Sequence, residues 1–334
     1  MNFAFNDEQQ EIKRIAREFL AARVKFERVR ERAESRSYDD DLWGEIRELG
    51  WPGIAIAEEH GGQGLGIVEL VILSEELGYA CAPTPFLSNA VAGIAIERAG
   101  DDAQRERWLP GIGSGEALGA VTSSVGPDAI VPDAQGAAVI AVVPEPGVAS
   151  LVAAEDAEVE PLELIDATRG YARVAAGADA GEPLGPLHAA TGEVSVAVAA
   201  ELVGVAQRAM EMAVAYAKER EQFGRPIGAY QAVGHRCAQM LYDTEEARSL
   251  TYYAAWAAGA EPESLPLAAA MAKARASDAA WSVTASALQV FGGIGFTWEN
   301  DLQFLLKRAR VMADLFGTAR QHREGVAALV GLDA

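Results

Sequence analysis

Glu219-Arg220-Glu221-Gln222-Phe223-Gly224-Arg225-Pro226-Ile227 and Gln289-Val290-Phe291-Gly292-Gly293-Ile294-Gly295-Phe296 are the two stretches on which the fold turns. Each ends a long helical pattern in aromatic residues and closely spaced glycines, and the first adds a charged run and a proline. Glycines of this kind let a backbone turn sharply or approach a ligand, and an arginine presents a planar set of donors to a phosphate. The residues alone leave two readings open: a ligand-binding edge, or two helix-to-helix turns in which Gly and Pro only punctuate.

Working outward, the pattern from residue 189 onward is helical over 189–219, 229–259, 264–290 and 299–313, with breaks at Gly224/Pro226, at Pro262 and at the glycine cluster. Four long amphipathic segments with short connections predict a helix bundle. Upstream, residues 118–188 lose helical periodicity; short apolar runs such as Ala137 to Val143 alternate with turn residues, which predicts a small β domain. Residues 1–117 are helical again. The spacing of Ile12, Ile15, Phe19 and Leu20 predicts a helix over 7–35, opened by a capping pair of Asn6 and Gln9. Further helices are expected over 40–49, where Gly50 and Pro52 stop the pattern, and over 67–78 and 87–99, with a glycine-rich loop at 56–66. The expected fold class is therefore mainly α with a small β domain: an N-terminal helical domain (1–117), a reduced β domain (118–188) and a C-terminal four-helix bundle (189–334). There is no internal repeat and no low-complexity tract.

Composition narrows the function classes. The chain has 334 residues, and 28 Lys+Arg against 49 Asp+Glu give a net charge of 28 − 49 = −21. Such a chain repels a phosphate backbone, and no basic patch offsets that, so a nucleic-acid partner is not expected. Two cysteines, Cys81 and Cys237, form neither a disulfide framework nor a C-x-x-C pair. The N-terminus lacks the pattern of a signal peptide and no uninterrupted apolar run has the length of a membrane span, so a cytoplasmic protein is expected. No P-loop, G-x-G-x-x-G, H-E-x-x-H or G-x-S-x-G motif is present, and the four histidines (His60, His188, His235, His322) are scattered. No metal-ligand cluster is expected.

The two opening stretches carry a resemblance to the acyl-CoA dehydrogenase family that extends over essentially the whole chain. EREQFGRPI resembles the family's E-R-x-x-F-G-x-P-I signature, QVFGGIGF its Q-x-x-G-G-x-G-[FY] signature, and LLKRARVMADLFGT the segment that ends in its E-G-T loop. IAEEHGGQGLG and Glu75-Glu76-Leu77-Gly78 resemble its P-E-E-Y-G-G-x-G and E-E-L-G segments. The family oxidises an acyl-CoA thioester: a carboxylate removes the α proton while the β hydrogen leaves as hydride to a flavin.

The resemblance also marks departures. In most members the base is the glutamate of the E-G-T loop, a position held here by Phe316; in others it lies near the start of the first long C-terminal helix, here Val194. Glu193, one residue away, is a weak alternative, and Asp314 a weaker one. The family's flavin-cradling T-E-P-x-A-G-S-D loop is represented only by Ala120-Val121-Thr122-Ser123-Ser124-Val125-Gly126. No catalytic base is therefore expected in this chain. In the family each FAD is shared across a subunit interface. The resemblance implies that Arg220 pairs with pyrophosphate oxygens, that Phe223 packs beside the cofactor, that Gln231 and Gln289 hydrogen-bond it, and that Gly292 and Gly293 admit its close approach. Motifs that serve a partner's flavin are kept, and those that would serve the chain's own are missing. This asymmetry, with the segment Glu76 to Pro85, resembles the non-catalytic subunit of heteromeric α2β2 acyl-CoA dehydrogenases of steroid side-chain degradation. It implies a catalytic partner subunit, an acyl-CoA substrate of the complex and an electron-transferring flavoprotein as acceptor. Two alternatives remain: a homo-oligomeric dehydrogenase with Glu193 as an atypical base, and a flavin-free scaffold.

Overall fold

In the computed structural model, which describes residues 4–126, 128–175 and 181–332, helices α1 (Asp7–Arg23), α2 (Phe26–Ser35), α3 (Asp40–Glu48), α4 (Ile67–Ala80), α5 (Phe86–Ala99) and α6 (Asp102–Ser114) precede the first strand. The capping pair is formed: Asn6 accepts from the Gln9 backbone N–H at 2.8 Å and donates its own N–H to the Gln9 side chain at 3.0 Å. The single helix expected over 7–35 is instead two, because the backbone is extended at Val24 (φ −105°, ψ 90°) and Lys25 (φ −93°, ψ 151°). No glycine or proline marks this break. It re-aims the chain so that Val24, then Val29 and Ala33 of α2, all turn inward. α6 was not anticipated; its apolar pattern is sparse and contains Pro110, but Asp101 and Gln104 form a capping box and Leu109 and Ile112 bury against α5 and the first strand.

Strands β1 (Leu118–Val121), β2 (Asp128–Pro132), β3 (Ala137–Glu145), β4 (Val148–Ala153), β5 (Glu158–Pro161), β6 (Tyr171–Ala175) and β7 (Glu182–Leu184) build two small sheets, in the orders β1-β3-β4-β7 and β2-β6-β5. β1 runs parallel to β3 and the remaining pairs in these sheets are antiparallel. Their separate small core, including Ala120, Val131, Ile140, Val152 and Val174, lies between the sheets.

Then come α7 (His188–Glu219), the two-residue strands β8 (Glu221–Gln222) and β9 (Arg225–Pro226), α8 (Gln231–Ala260), α9 (Leu265–Phe291), α10 (Leu302–Met312) and α11 (Ala319–Leu329), the last not foreseen. α9 packs on α7, α8, α10 and α11, and α7 packs in addition on α4 and α5. α7 is thus the spine of the molecule. Although no uninterrupted apolar run is long enough to span a bilayer, α7 and the helical stretch 262–296 are long and apolar enough by length and average composition; 83% of the apolar window of α7 is buried inside the fold.

The α4–α7 crossing is a backbone contact. A Cβ on Gly78 would lie 2.2 Å from the Glu201 carbonyl oxygen, and one on Gly204 would lie 1.9 Å from that of Glu75. Beside it, buried charges tie together every part of the chain. Glu201 of α7 accepts from Arg169 at 3.0 Å on both oxygens and pairs with Arg308 of α10 at 3.4 Å. Arg308 also donates to the carbonyls of Ala82 and Thr168 at 3.0 and 3.1 Å. Arg169 reaches Asp133 at 3.5 Å, and Asp133 in turn accepts from Tyr38 and Ser88. Charges taken out of water must be met by opposite charges, and here those come from three regions of the sequence, although Nε and Nη1 of Arg169 have no hydrogen-bond partner among the described residues.

Gly204→Ala should force α4 and α7 apart and lower stability by about 1–3 kcal/mol, the usual range for overpacking. Gly259→Ala in α8, where no atom lies within 4 Å of an added Cβ, should raise it by up to about 1 kcal/mol. Urea unfolding midpoints of the two variants check the contrast; equal effects would contradict the tight crossing.

Candidate functional site

Around the N-terminal end of α7 lies a cavity of about 300 Å3, bounded by Ala95 of α5, by Leu187, Ala190, Thr191 and Val194, by Val143 of β3, by Val121 at the end of β1 and residues 122–125 after it, and by Phe316. The two positions compared with the family's base, Val194 and Phe316, are far apart in sequence and meet here. No carboxylate, histidine, lysine or arginine is among these residues. The polar groups are hydroxyls, and that of Thr122 is buried without a hydrogen-bond partner among the described residues. Such a lining suits a neutral, largely apolar group, and none of the side chains that line it is an ordinary proton acceptor.

Phe316 is held by its backbone. It adopts φ 55°, rare for a bulky residue, and is followed by Gly317 at φ 102°. Lys273 of α9, fully buried, donates to the carbonyls of Ala313 and Gly317 and to the Ser277 hydroxyl, each at 3.0 Å. His322 of α11 shares a hydrogen bond of 3.0 Å with the Phe316 carbonyl. Burial pushes the Lys273 ammonium down from its ordinary 10.5 to about 7. Burial, with Lys273 nearby, also holds His322 below its ordinary value. Sequence reading passed over this clamp. Its one signal was a lysine in the Ala-rich run AAAMAKARAS, four residues before a serine.

Glu193 faces elsewhere. Arg98 binds its carboxylate with two hydrogen bonds of 2.8 Å, and with Arg98, His188 and His322 it lines a second cavity of about 760 Å3. One residue along α7 is a rotation of about 100°, enough to send Val194 and Glu193 to different cavities. Asp314 is exposed and pairs with Arg310 at 2.7 Å.

The other predicted residues gather at the opposite end of α7. β8 and β9 form a hairpin whose two-residue turn is Phe223 at φ 53° and Gly224 at φ 79°, which leaves the Phe223 side chain 94% exposed. Tyr230 steadies the hairpin, its hydroxyl donating to the Gln222 carbonyl at 3.0 Å and its ring lying 4.0 Å from the Arg225 guanidinium carbon. Tyr216, one turn before Arg220, stacks on Phe291 with ring centroids 4.5 Å apart, which brings the hairpin to the end of α9 where Gln289, Gly292 and Gly293 lie. Gly292 has φ 63°, and no atom lies within 4 Å of a Cβ on Gly292 or Gly293. Arg220, Gln231 and Gln289 are exposed. Among the described residues no acidic side chain pairs with Arg220. The structure therefore brings Arg220, Phe223, Gln231, Gln289, Gly292 and Gly293 to one end of the bundle, with donors and open backbone suited to an anionic group such as a pyrophosphate. Val194 and Arg220 are 26 residues apart on one helix, so the cavity and this donor cluster are about 39 Å apart, farther than an extended dinucleotide reaches. Among the described residues no group of three or more His, Cys, Asp or Glu is placed to hold a metal ion.

Comparison with known proteins matches residues 6–116 to the acyl-CoA dehydrogenase N-terminal domain and 191–330 to the acyl-CoA dehydrogenase C-terminal domain. The chain is similar to the acyl-CoA dehydrogenase IpdE2 of Mycolicibacterium smegmatis, 34% identical over 326 residues covering 93% of this chain and 96% of the relative. Among solved structures it is similar to the Tcur3481–Tcur3483 steroid ACAD (G363A variant), with a TM-score of 0.88, 28% identity and coverage of 97% and 98%. It shares the fold of the ChsE4–ChsE5 complex of Mycobacterium tuberculosis at a TM-score of 0.89 and 24% identity, over the full length of both chains.

The clamp predicts a pH dependence. Because the folded value of Lys273, about 7, lies below its ordinary 10.5, the unfolded chain binds a proton between these values that the folded chain does not. This group therefore makes stability rise with pH from about 7 toward 10.5, and below about 7 the fold carries the cost of a buried charge. Lys273→Met should flatten that rise, measured as the difference between urea midpoints at pH 7 and pH 9.5. An identical rise in both proteins would remove Lys273 as its source.

Proposed function

The chain belongs to the acyl-CoA dehydrogenase family, and from that premise we propose that it is the non-catalytic subunit of a heteromeric, FAD-dependent acyl-CoA dehydrogenase. In this role it supplies the adenine and pyrophosphate side of the flavin site to a catalytic partner. One observation carries the reading: Val194 and Phe316 line the same cavity, with no titratable side chain among the residues that line it, while a cluster of exposed donors waits about 39 Å away. The two ends of one flavin cannot be served by both places in one chain. A flavin held at Arg220 therefore extends into a neighbouring subunit, and the proton-accepting carboxylate comes with that subunit.

Each residue has a part in this. Arg220 binds pyrophosphate oxygens through a charge-assisted pair, Gln231 and Gln289 orient the cofactor, Gly292 and Gly293 let the backbone come close, and Phe223 packs beside it. When bound, FAD is the hydride acceptor for α,β-dehydrogenation of the acyl-CoA. The exposed aromatic residues at this end of the bundle, Phe223, Phe296 (78%) and Trp298 (53%), are surface that a partner subunit would cover. One similar structure is named a steroid ACAD, which favours a steroid CoA ester, and by the family resemblance one of a steroid side chain, as the substrate of an α2β2 complex in the cytoplasm, with an electron-transferring flavoprotein taking the electrons. A self-sufficient enzyme with Glu193 as base is disfavoured by its pairing with Arg98 and its position on the other cavity.

Arg220→Ala, co-purified with the partner dehydrogenase subunit, should weaken FAD retention by roughly 10- to 100-fold, the worth of a hydrogen bond to a charged group. The complex should still assemble. Glu193→Gln should leave turnover of the complex unchanged. Full flavin retention by Arg220→Ala would remove Arg220 from the cofactor site, absence of flavin absorbance even in the complex would favour a flavin-free scaffold, and loss of turnover in Glu193→Gln would restore the self-sufficient enzyme.

A further inference from the structure

Between the end of α1 and the middle of α7 is another cavity, of about 340 Å3, that the reading above does not use. The break at Val24 and Lys25 opens it, and Arg17, Lys25 and Arg208 supply its cations. Two guanidiniums share one aromatic ring there. The carbon of Arg17 lies 3.4 Å from the centroid of Tyr79, and that of Arg208 lies 5.1 Å from it and 5.4 Å from Phe26.

All but one of the acids nearby are engaged. Buried Glu76 binds Arg17 and lies 3.1 Å from Lys13. Asp301 is held by Arg30 at 2.6 Å. Glu211 accepts from the Tyr79 hydroxyl at 2.5 Å and from Gln207 at 2.8 Å. Glu27, the remaining acid on the wall, is exposed to solvent. Arg208 donates to the Tyr79 hydroxyl at 3.2 Å and, among the described residues, has no carboxylate within ion-pair distance. Lys25 bonds to the Ala21 carbonyl, which leaves its ammonium further donors. Two neighbouring cations with only one matched repel each other, and a bound anion relieves that repulsion.

We propose that this cavity binds a small oxyanion, a carboxylate or phosphoryl group, on the planar fork of Arg208 with Lys25 as second donor. The site is distinct from both regions discussed above. Arg208 lies 14 residues along α7 from Val194 and 12 from Arg220, about 21 and 18 Å respectively. A chain of net charge −21 gathers anions only where local donors override its overall field.

Calorimetric titration of the full chain with inorganic phosphate and with succinate, at constant ionic strength, tests this. One saturable site per chain is expected for at least one of them. Arg208→Met should weaken it at least tenfold, Arg208→Lys should weaken it less, and Arg36→Met, a surface arginine elsewhere, should leave it unchanged. A response to phosphate alone assigns a phosphoryl ligand, and a response to succinate alone a carboxylate. Saturable binding of neither anion, or binding indifferent to both Arg208 variants, would overturn the proposal. So would a site present in the isolated chain and lost in the heteromeric complex, because an acidic side chain of the partner would then be the occupant.

Discussion

The structure depends on the place where α4 and α7 touch backbone to backbone. Gly78 of α4 and Gly204 of α7 leave no room for a Cβ on either side, and Glu201, the α7 residue whose carbonyl faces Gly78, carries the carboxylate that Arg169 and Arg308 share. A close crossing and a buried charge at one point constrain each other. The helices must approach for the charges to meet, and the charges are tolerable only while the approach is kept. Because Arg169 leads into the β region, Arg308 sits on α10 and Asp133 reaches Tyr38 and Ser88, the parts of the chain are held to a single spine.

That spine sets the division of labour. One end of α7 forms an apolar cavity closed by Phe316, whose backbone is fixed by a buried ammonium and a histidine. The other end presents Arg220 and a glycine-opened backbone to the outside. A helix of 32 residues is rigid on this scale and about 48 Å long, so the two ends cannot act on one small ligand within one subunit. Net charge adds to this. An acidic chain binds anionic cofactors through local donors, and Arg220, Gln231 and Gln289 lie exposed at the bundle's surface, where the cofactor sharing proposed above would need them.

Long elements were legible in the sequence because their apolar spacing is regular and glycine or proline marks their ends: α7, α8 and α9 begin and stop within two residues of the expected positions. The break at Val24 and the helix α6 were not, since the first has no helix-breaking residue and the second has a proline inside it; long-range packing decided both. The two glycine- and aromatic-rich segments were readable as unusual turns, but only the stacking of Tyr216 on Phe291 puts them at one end of the bundle. Lys273, His322 and Arg98 were missed for the same reason: each acts on a residue distant in sequence. The different directions of Glu193 and Val194 followed from helix geometry, whereas the arginine that locks Glu193 needed the fold.

The central claim is that this chain completes a flavin site without owning one. The direct measurement is the flavin-to-protein ratio of the purified chain and of the same chain purified with a catalytic acyl-CoA dehydrogenase partner, alongside acyl-CoA oxidation by each. The account predicts a colourless, inactive chain alone, and an active complex holding one FAD per pair of unlike subunits. Stoichiometric FAD and acyl-CoA oxidation by the chain alone would contradict it.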